Sequence, residues 1–155
     1  MKKVLILIIS LLLIVPGMVS AQEKTKGQKP HYKTAIGVKY YPFAVSLKTM
    51  PNRKSAFEFL GYFKDGFRLT GLYELHGMLN SDGNLKWYAG LGAHLGIGNQ
   101  DQGDDFKFGV DGIIGLDYKF LSLPLNLSLD WQPALGIGDD NSFTSWGGLS
   151  VRFAF

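Results

Sequence analysis

Apolar and polar residues alternate one by one along most of this 155-residue chain, from residue 32 to its end. Side chains of a β-strand point alternately to the two faces of a sheet, so a period of two indicates strands. The last segment is a clear example, because Leu149, Val151, Phe153 and Phe155 all fall on one face. No window of the sequence carries a sustained helical stripe. The chain is therefore predicted to be all-β.

Turn residues divide the alternating region into eight predicted strands. Asp65-Gly66 and Asp82-Gly83 are favoured hairpin dipeptides, because glycine accepts a positive φ without strain. The strands are predicted at about 32–40, 43–50, 55–63, 66–77, 85–97, 107–120, 124–135 and 146–155. Short strands in even number, joined by short breaks, predict a closed antiparallel up-and-down barrel over residues 32–155.

Residues 1–21 are typical of a secretory signal peptide. Lys2 and Lys3 precede an apolar run over 4–15, and Val19 and Ala21 are the small residues of a cleavage site after Ala21. An uncleaved membrane helix is the alternative, but a span needs ~18–20 apolar residues. Residues 22–31 form a predicted flexible, polar lead-in. Cleavage removes both lysines and lowers the formal net charge from +3 to +1, so no nucleic-acid partner is predicted.

The alternation alone does not say which face lies inside the barrel. One face is mixed and rich in small residues such as Gly90 and Gly92, whereas the other carries large aliphatic and aromatic residues, too bulky for an eight-stranded lumen. The charges of the mixed face are nearly balanced, as a closed internal network of ion pairs requires. We predict that the mixed face lines the lumen of a transmembrane barrel. A soluble periplasmic barrel of the lipocalin type, with its apolar face inside, is the alternative.

The predicted lumen network consists of charged residues and two histidines of the mixed face. Its members are Lys39, Lys48, Glu58, Arg68, Glu74, His76, His94, Asp111, Asp117, Lys119, Asp130 and Arg152, and Lys86 shares their face. No second imidazole or carboxylate stands at ligand spacing near His94, so neither a metal site nor a cofactor is predicted.

The signal peptide, the eight short strands and the terminal Phe155 resemble the small eight-stranded outer-membrane β-barrel proteins of Gram-negative bacteria. The segments FRLTGLYELH, WYAGLGAHLG and PLNLSLDWQPAL are similar to segments of poorly characterised members. The resemblance implies a C-terminal assembly signal, read by the outer-membrane insertion machinery and formed by Leu149, Val151, Phe153 and Phe155. Ser150 stands where many members have glycine, and Gly148 where they have a polar residue, which bears on recognition efficiency and not on the fold.

Acidic residues cluster in two predicted exterior loops, over 98–105 and 138–142. They are Asp101, Asp104, Asp105, Asp139 and Asp140. Such carboxylates are candidates for binding Ca²⁺, or for bridging through divalent ions to lipopolysaccharide phosphates. Solvated loop carboxylates are the simpler interpretation.

The expected function is that of an integral outer-membrane barrel without an open channel, since side chains fill an eight-stranded lumen. Its role would be structural or a surface interaction in the cell envelope, with outer-membrane lipid and lipopolysaccharide as partners. The sequence does not predict the oligomeric state. One alternative is a lipid A-modifying enzyme, because lipid A deacylases resemble this architecture and use a serine, a histidine and an acid. His76 and Glu74 would supply the last two, but no motif marks a serine, so no catalytic residue is predicted. The other alternative is a soluble periplasmic binder of an apolar ligand.

Overall fold

The computed structural model describes residues 32–63, 66–98, 106–137 and 142–155, and all its regular elements are strands. They are β1 (Thr34–Tyr40), β2 (Ala44–Thr49), β3 (Ser55–Tyr62), β4 (Gly66–Met78), β5 (Leu85–Gly98), β6 (Phe106–Lys119), β7 (Leu125–Ile137) and β8 (Phe143–Ala154). Each strand pairs antiparallel with the next, and β8 pairs with β1 to close the barrel. The predicted closed, eight-stranded antiparallel barrel is therefore confirmed. The predicted signal peptide and lead-in lie outside the described residues.

The C-terminal strand is longer than predicted. It begins at Phe143 and not at Trp146, because Phe143 and Ser145 continue the alternation and pair with Leu135 and Pro133 of β7. Among the described residues there is no helix of the length and hydropathy needed to cross a membrane.

The strand registers slant all eight strands in the same direction. A path from partner to partner that leaves β8 at Phe153 returns to β8 at Phe143, ten residues away. Its steps are Phe153, Ile36, Leu47, Phe59, Gly71, Ala93, Val110, Leu135 and Phe143. A shift of this size tilts the strands by ~40° from the barrel axis, so each residue adds about 2.5 Å of barrel height.

The two surfaces of the barrel wall have opposite polarity. The outer surface is apolar on every strand, with exposed residues that include Ile36, Leu47, Phe59, Leu69, Leu91, Ile114, Leu129 and Leu149. Most inward residues are buried, and most of the charged residues of the strands lie among them. A barrel with its apolar face outside and its polar face inside has the polarity of a transmembrane-type barrel.

The wall of the barrel is not equally tall all round. Strands β1, β2 and β3 have 7, 6 and 8 residues, whereas β4 to β8 have 12 to 14. Tyr40, the last residue of β1, pairs with Leu149, so residues 143–148 of β8 continue beyond the β1–β2 turn. We call β1–β3 the low wall, β4–β8 the high wall and the gap above the low wall the notch. At about 2.5 Å of height per residue, the ends of the low wall lie about 10 Å below those of the high wall, which is the depth of the notch.

Candidate functional site

The centre of the lumen is occupied by the ammonium of Lys48. Its Nζ lies 2.6 Å from Glu74 Oε2, and 3.7 Å from both Glu58 Oε2 and Asp117 Oδ2. It also lies 4.2 Å from the centroid of the Tyr88 ring. The inward face of β2 places Lys48 directly opposite Glu58 on β3, and the curvature of the barrel brings in the other two carboxylates.

Arg152 is the second cation of this centre, and it approaches from β8. Its Nη2 donates to Glu58, its Nε donates to Ser46 Oγ at 2.7 Å, and its Nη1 donates to Ser128 Oγ at 2.6 Å and Asn126 Oδ1 at 3.3 Å. The side chain is 0% exposed. A buried guanidinium is tolerated because its N–H groups and its charge both have partners.

Residues that are far apart in the sequence, on β1 and β7, contact each other beside this centre. Lys39 Nζ donates to Asp130 Oδ1 at 2.5 Å and to Gln132 Oε1 at 3.0 Å. Tyr88 donates its hydroxyl to Asp130 Oδ2 at 2.9 Å, and Tyr62 donates its own to Gln132 Oε1 at 2.8 Å. These bonds connect β1, β3, β5 and β7 across the lumen.

A second charged cluster, which we call the upper cluster, lies at the end of the lumen near the notch. Arg68 Nη2 donates to Asp111 Oδ1 at 2.5 Å, and His94 Nδ1 lies 2.6 Å from Asp111 Oδ2 and 3.1 Å from Arg68 Nη2. The tautomer of His94 decides whether Nδ1 donates to Asp111 or accepts from Arg68. The guanidinium carbon of Arg68 stacks 4.4 Å from the Trp146 ring centroid and 5.8 Å from that of Tyr62. Arg68 is the most exposed cation of the ion pairs described, at 16% of its side chain.

The opposite end of the lumen is closed by apolar residues around the start of β1. Tyr32, Ala35, Met50, Ala56 and Ala154 form a buried cluster there. The Tyr32 hydroxyl donates to Asp117 Oδ2 at 3.1 Å. Burial and the neighbouring Asp117 raise the pKa of Tyr32 well above its ordinary value, so the phenol stays protonated and keeps donating.

His76 and Glu74 are adjacent on the inward face of β4. His76 Nε2 lies 3.0 Å from Glu74 Oε2, and the imidazole stacks on Tyr88 with ring centroids 5.2 Å apart. His76 Nδ1 makes no hydrogen bond in the described part of the chain. A serine nucleophile would have to contact one of the ring nitrogens, so the described hydrogen bonds contain no triad geometry at His76. Both residues are buried, away from the lipid-facing surface.

The structure brings together most of the residues predicted for the lumen network. Ten of its members are buried, namely Lys39, Lys48, Glu58, Glu74, His76, His94, Asp111, Asp117, Asp130 and Arg152. Arg68 is half-buried in the upper cluster. Lys119 is placed apart, because its Nζ donates to the Phe120 and Leu123 carbonyls, each at 2.8 Å, in the turn after β6. Lysine at a strand end reaches turn carbonyls more readily than the lumen.

Several lumen residues were not singled out by sequence reasoning because they carry no charge. Ser46, Tyr62, Tyr88, Asn126, Ser128 and Gln132 complete the hydrogen bonds of the network. The available signal was their parity, since each shares its strand face with a charged network residue. A search for uncharged polar residues on the mixed face would have found them.

The residues of the predicted C-terminal assembly signal lie on the outside of the barrel. Leu149, Val151 and Phe155 are exposed there, and the Phe153 and Phe155 ring centroids are 6.1 Å apart. Phe155 is tied to β1, because its N–H donates to the Thr34 carbonyl at 2.8 Å. The predicted acidic sites, Asp101, Asp104, Asp105, Asp139 and Asp140, lie outside the described residues. Within those residues, no group of three or more potential ligands is placed to hold a metal ion.

Comparisons with known proteins agree with this architecture. No family model matches the chain, and no curated protein matches it. Among solved structures, the chain is similar to the crystal structure of the N-terminal β-barrel domain of Pseudomonas aeruginosa OprF, with a TM-score of 0.59 and 18% sequence identity. The match covers 79% of this chain and 95% of the OprF domain. At this identity the likeness shows the fold, an eight-stranded barrel of the kind described above.

Proposed function

We propose that this protein is an integral outer-membrane β-barrel whose lumen is closed by its own side chains, with a structural or surface-interaction role in the cell envelope. The observation that carries the proposal is the polarity of the wall. The exterior exposes apolar side chains on all eight strands, and the interior holds charged ones. A soluble binder of an apolar ligand would need the reverse arrangement, with the apolar face lining its cavity.

The outer membrane is the membrane favoured for this fold. Transmembrane barrels of 8 or more antiparallel strands are the architecture of bacterial outer-membrane proteins, and the OprF domain that this chain resembles is also a β-barrel. The predicted signal peptide over residues 1–21 supports export from the cytoplasm. The exposed C-terminal face, with Val151 and Phe155, supports recognition by the outer-membrane insertion machinery, as the family resemblance implies.

Cell fractionation tests the location. The full chain, expressed in a Gram-negative host, should be recovered in the outer-membrane fraction and should require detergent for extraction. It should also migrate faster on gels before boiling than after, because a closed barrel keeps its compact form in detergent. Recovery in the periplasmic extract without detergent would contradict the proposal.

A closed lumen makes a second, independent measurement possible. Arg152, Lys48 and Tyr88 are buried across the middle of the lumen, where a water-filled pore would have to pass. Protein reconstituted in planar bilayers should therefore give no steady single-channel current. A stable conductance would assign the barrel to diffusion channels instead.

A further inference from the structure

The notch opens the lumen sideways, above the low wall. A strand of 6 to 8 residues tilted by ~40° reaches about 15–20 Å, and one of 13 or 14 residues reaches about 32–35 Å. The apolar band of an outer-membrane barrel is about 25 Å tall. The low wall is therefore shorter than the apolar layer it has to cross.

The exterior of the high wall places the notch at the level of this apolar layer. Phe67 and Phe143 face outward at the two sides of the notch, and Ile97, Phe106 and Ile137 face outward near the same end of β5, β6 and β7; all five are exposed. If water surrounded this level, five large apolar side chains would be exposed to it. The notch therefore faces the hydrocarbon of one membrane leaflet.

One side of the notch is a strand edge that pairs with no described strand. The Phe155 and Thr34 backbones exchange hydrogen bonds of 2.8 and 3.0 Å, so odd-numbered residues of β8 bond to β1. Phe143, Ser145 and Gly147 have the same parity, but no described strand lies beside them. Their N–H groups point over the low wall, and such donors need a polar partner in an apolar layer.

The inner surface of the high wall leaves space above the upper cluster. Gly96, Gly136 and Thr144, each half-buried, line this surface with small side chains. A Cβ added at Gly96 would have its nearest neighbour, the Phe67 carbonyl oxygen, 3.7 Å away. Lys107, which has interactions of its own, is exposed on the same surface. The result is a concave surface that opens sideways through the notch.

The floor of this concave surface carries a cation, one nitrogen of which makes no hydrogen bond among the described residues. The described hydrogen bonds of Arg68 run through Nε and Nη2, to Thr70, Asp111 and His94, and none involves Nη1. Asp111 also accepts from Gln132 Nε2 at 3.1 Å, so it is not held by Arg68 alone. A guanidinium stacked on an indole keeps its N–H edge free for an anion.

We propose that the notch admits the phosphate-bearing, anionic headgroup of a membrane lipid, which Arg68 binds while the acyl chains lie over the low wall. Three features converge on this ligand: an opening at the level of the acyl chains, backbone N–H donors along one side, and a guanidinium on the floor. A phosphate accepts several hydrogen bonds at once, from the fork of an arginine and from N–H groups alike. The inference rests on the proposed function, since it requires a barrel in a bilayer.

Fluorescence of Trp146 tests the proposal, because this indole faces inward and contacts Arg68. The full chain carrying Trp87→Phe and Trp131→Phe is reconstituted in phosphatidylcholine bilayers. A brominated-chain phosphatidylglycerol or a brominated-chain phosphatidylcholine is then added at equal mole fraction. We expect Trp146 to be quenched by the anionic lipid with about tenfold higher apparent affinity, equivalent to about 1.4 kcal/mol.

Two substitutions should remove this difference. Arg68→Gln removes the charge, and Gly96→Leu fills the concave surface beside Arg68, its partner across the β4–β5 pair, while leaving the charge in place. Arg68→Lys keeps the charge but loses the fork and the stacking on Trp146, so it should retain only part of the preference. Gly71→Leu is the matched control for Gly96→Leu, because Gly71 faces the lipid, with its nearest neighbour 3.6 Å from an added Cβ. It should leave the quenching of Trp146 unchanged.

The outcomes separate the notch from the barrel itself. A chain that does not insert, judged by heat-modifiable migration, would refute the proposed function and this inference with it. A chain that inserts but shows equal quenching by the two lipids would refute the lipid site alone. Dependence of Trp146 emission on the protein-to-lipid ratio, without quenching by either lipid, would indicate a second copy of the chain in the notch and would also refute it.

Discussion

Lys48 and Glu74 form an ion pair that is completely enclosed by the barrel, with Nζ and Oε2 2.6 Å apart and both side chains 0% exposed. The same ammonium lies 3.7 Å from the carboxylates of Glu58 and Asp117. Arg152 supplies the second positive charge through Glu58. Two cations therefore neutralise most of the charge of three carboxylates.

Lys48→Met should destabilise the barrel strongly. The substitution keeps the length of the side chain but leaves Glu58, Glu74 and Asp117 without their shared ammonium. Loss of one partner of a buried ion pair costs about 3–5 kcal/mol, because the remaining charge stays desolvated. Urea-induced unfolding in phospholipid vesicles, followed by tryptophan emission, measures the change.

The double variant provides the control for this prediction. Lys48→Met with Glu74→Gln removes one charge of each sign, so it should be more stable than Lys48→Met alone. Asp82→Asn, in the exposed turn between β4 and β5, should be neutral. A Lys48→Met variant as stable as the parent chain would show that the central ion pairs do not hold the lumen together.

Arg152 should tolerate no substitution, not even by lysine. Its guanidinium donates to Glu58, Ser46, Ser128 and Asn126 through three different nitrogens. Arg152→Leu should cost about 3–5 kcal/mol of unfolding free energy. Arg152→Lys keeps the charge but loses the planar fork, so its midpoint should lie between those of the parent and the leucine variant. Equal midpoints for Arg152→Lys and the parent would mean that charge alone matters at this position.

Much of this arrangement follows from alternation along the sequence. Alternation along each strand predicts that Lys39, Glu58 and Asp130 all face the lumen side of the wall, and the structure places all three inside. Alternation does not say which of these side chains contact each other. Lys39 pairs with Asp130, 91 residues away, because of the strand order and the ten-residue shift around the barrel.

The notch could not be predicted either, because alternation does not encode the register between strands. The sequence indicates that β1 and β2 are short, but the height of a strand end depends on the register with its neighbours. Tyr40 ends opposite Leu149 only because β1 and β8 pair in that register. Lys119 illustrates a further limit, since a long side chain at a strand end chooses between the lumen and the turn by local geometry that alternation does not encode.

Pro133→Ala should complete the β6–β7 ladder and, on balance, stabilise the barrel only slightly. Odd-numbered residues of β7 bond to β6, as shown by the Phe120 N–H, which donates to the Leu125 carbonyl at 3.0 Å. Proline has no N–H, and the β6–β7 pairs are interrupted opposite Pro133, at Gly112. Alanine supplies the missing donor to the Gly112 carbonyl, for a gain of about 0.5–1.5 kcal/mol. Urea unfolding of the vesicle-inserted protein measures it.

Hydrogen exchange provides the check on mechanism for this variant. The new amide of residue 133 should be protected, and that of Gly112, which faces β7, should exchange more slowly in Pro133→Ala if the strand pairing becomes continuous. Pro133→Ala also increases the freedom of the unfolded chain, which opposes the gain by about 0.4–1 kcal/mol. A lower unfolding midpoint, without a change in amide protection, would refute the proposed gap in the ladder.

Gly92 and Gly96 should respond oppositely to alanine, although both are half-buried on the inner face of β5. A Cβ at Gly92 would overlap the Gly71 carbonyl oxygen of β4, which is backbone and has no room to move within the pairing. Gly92→Ala should therefore cost about 1–3 kcal/mol or prevent insertion. A Cβ at Gly96 meets no atom closer than 3.7 Å, so Gly96→Ala should be neutral, or stabilising by about 0.5–1 kcal/mol through a stiffer strand. Unfolding midpoints of the two variants, measured side by side in the same vesicles, decide the matter. Equal losses would mean that inward glycines of β5 are needed for backbone freedom and not for the close approach of β4 at Gly92.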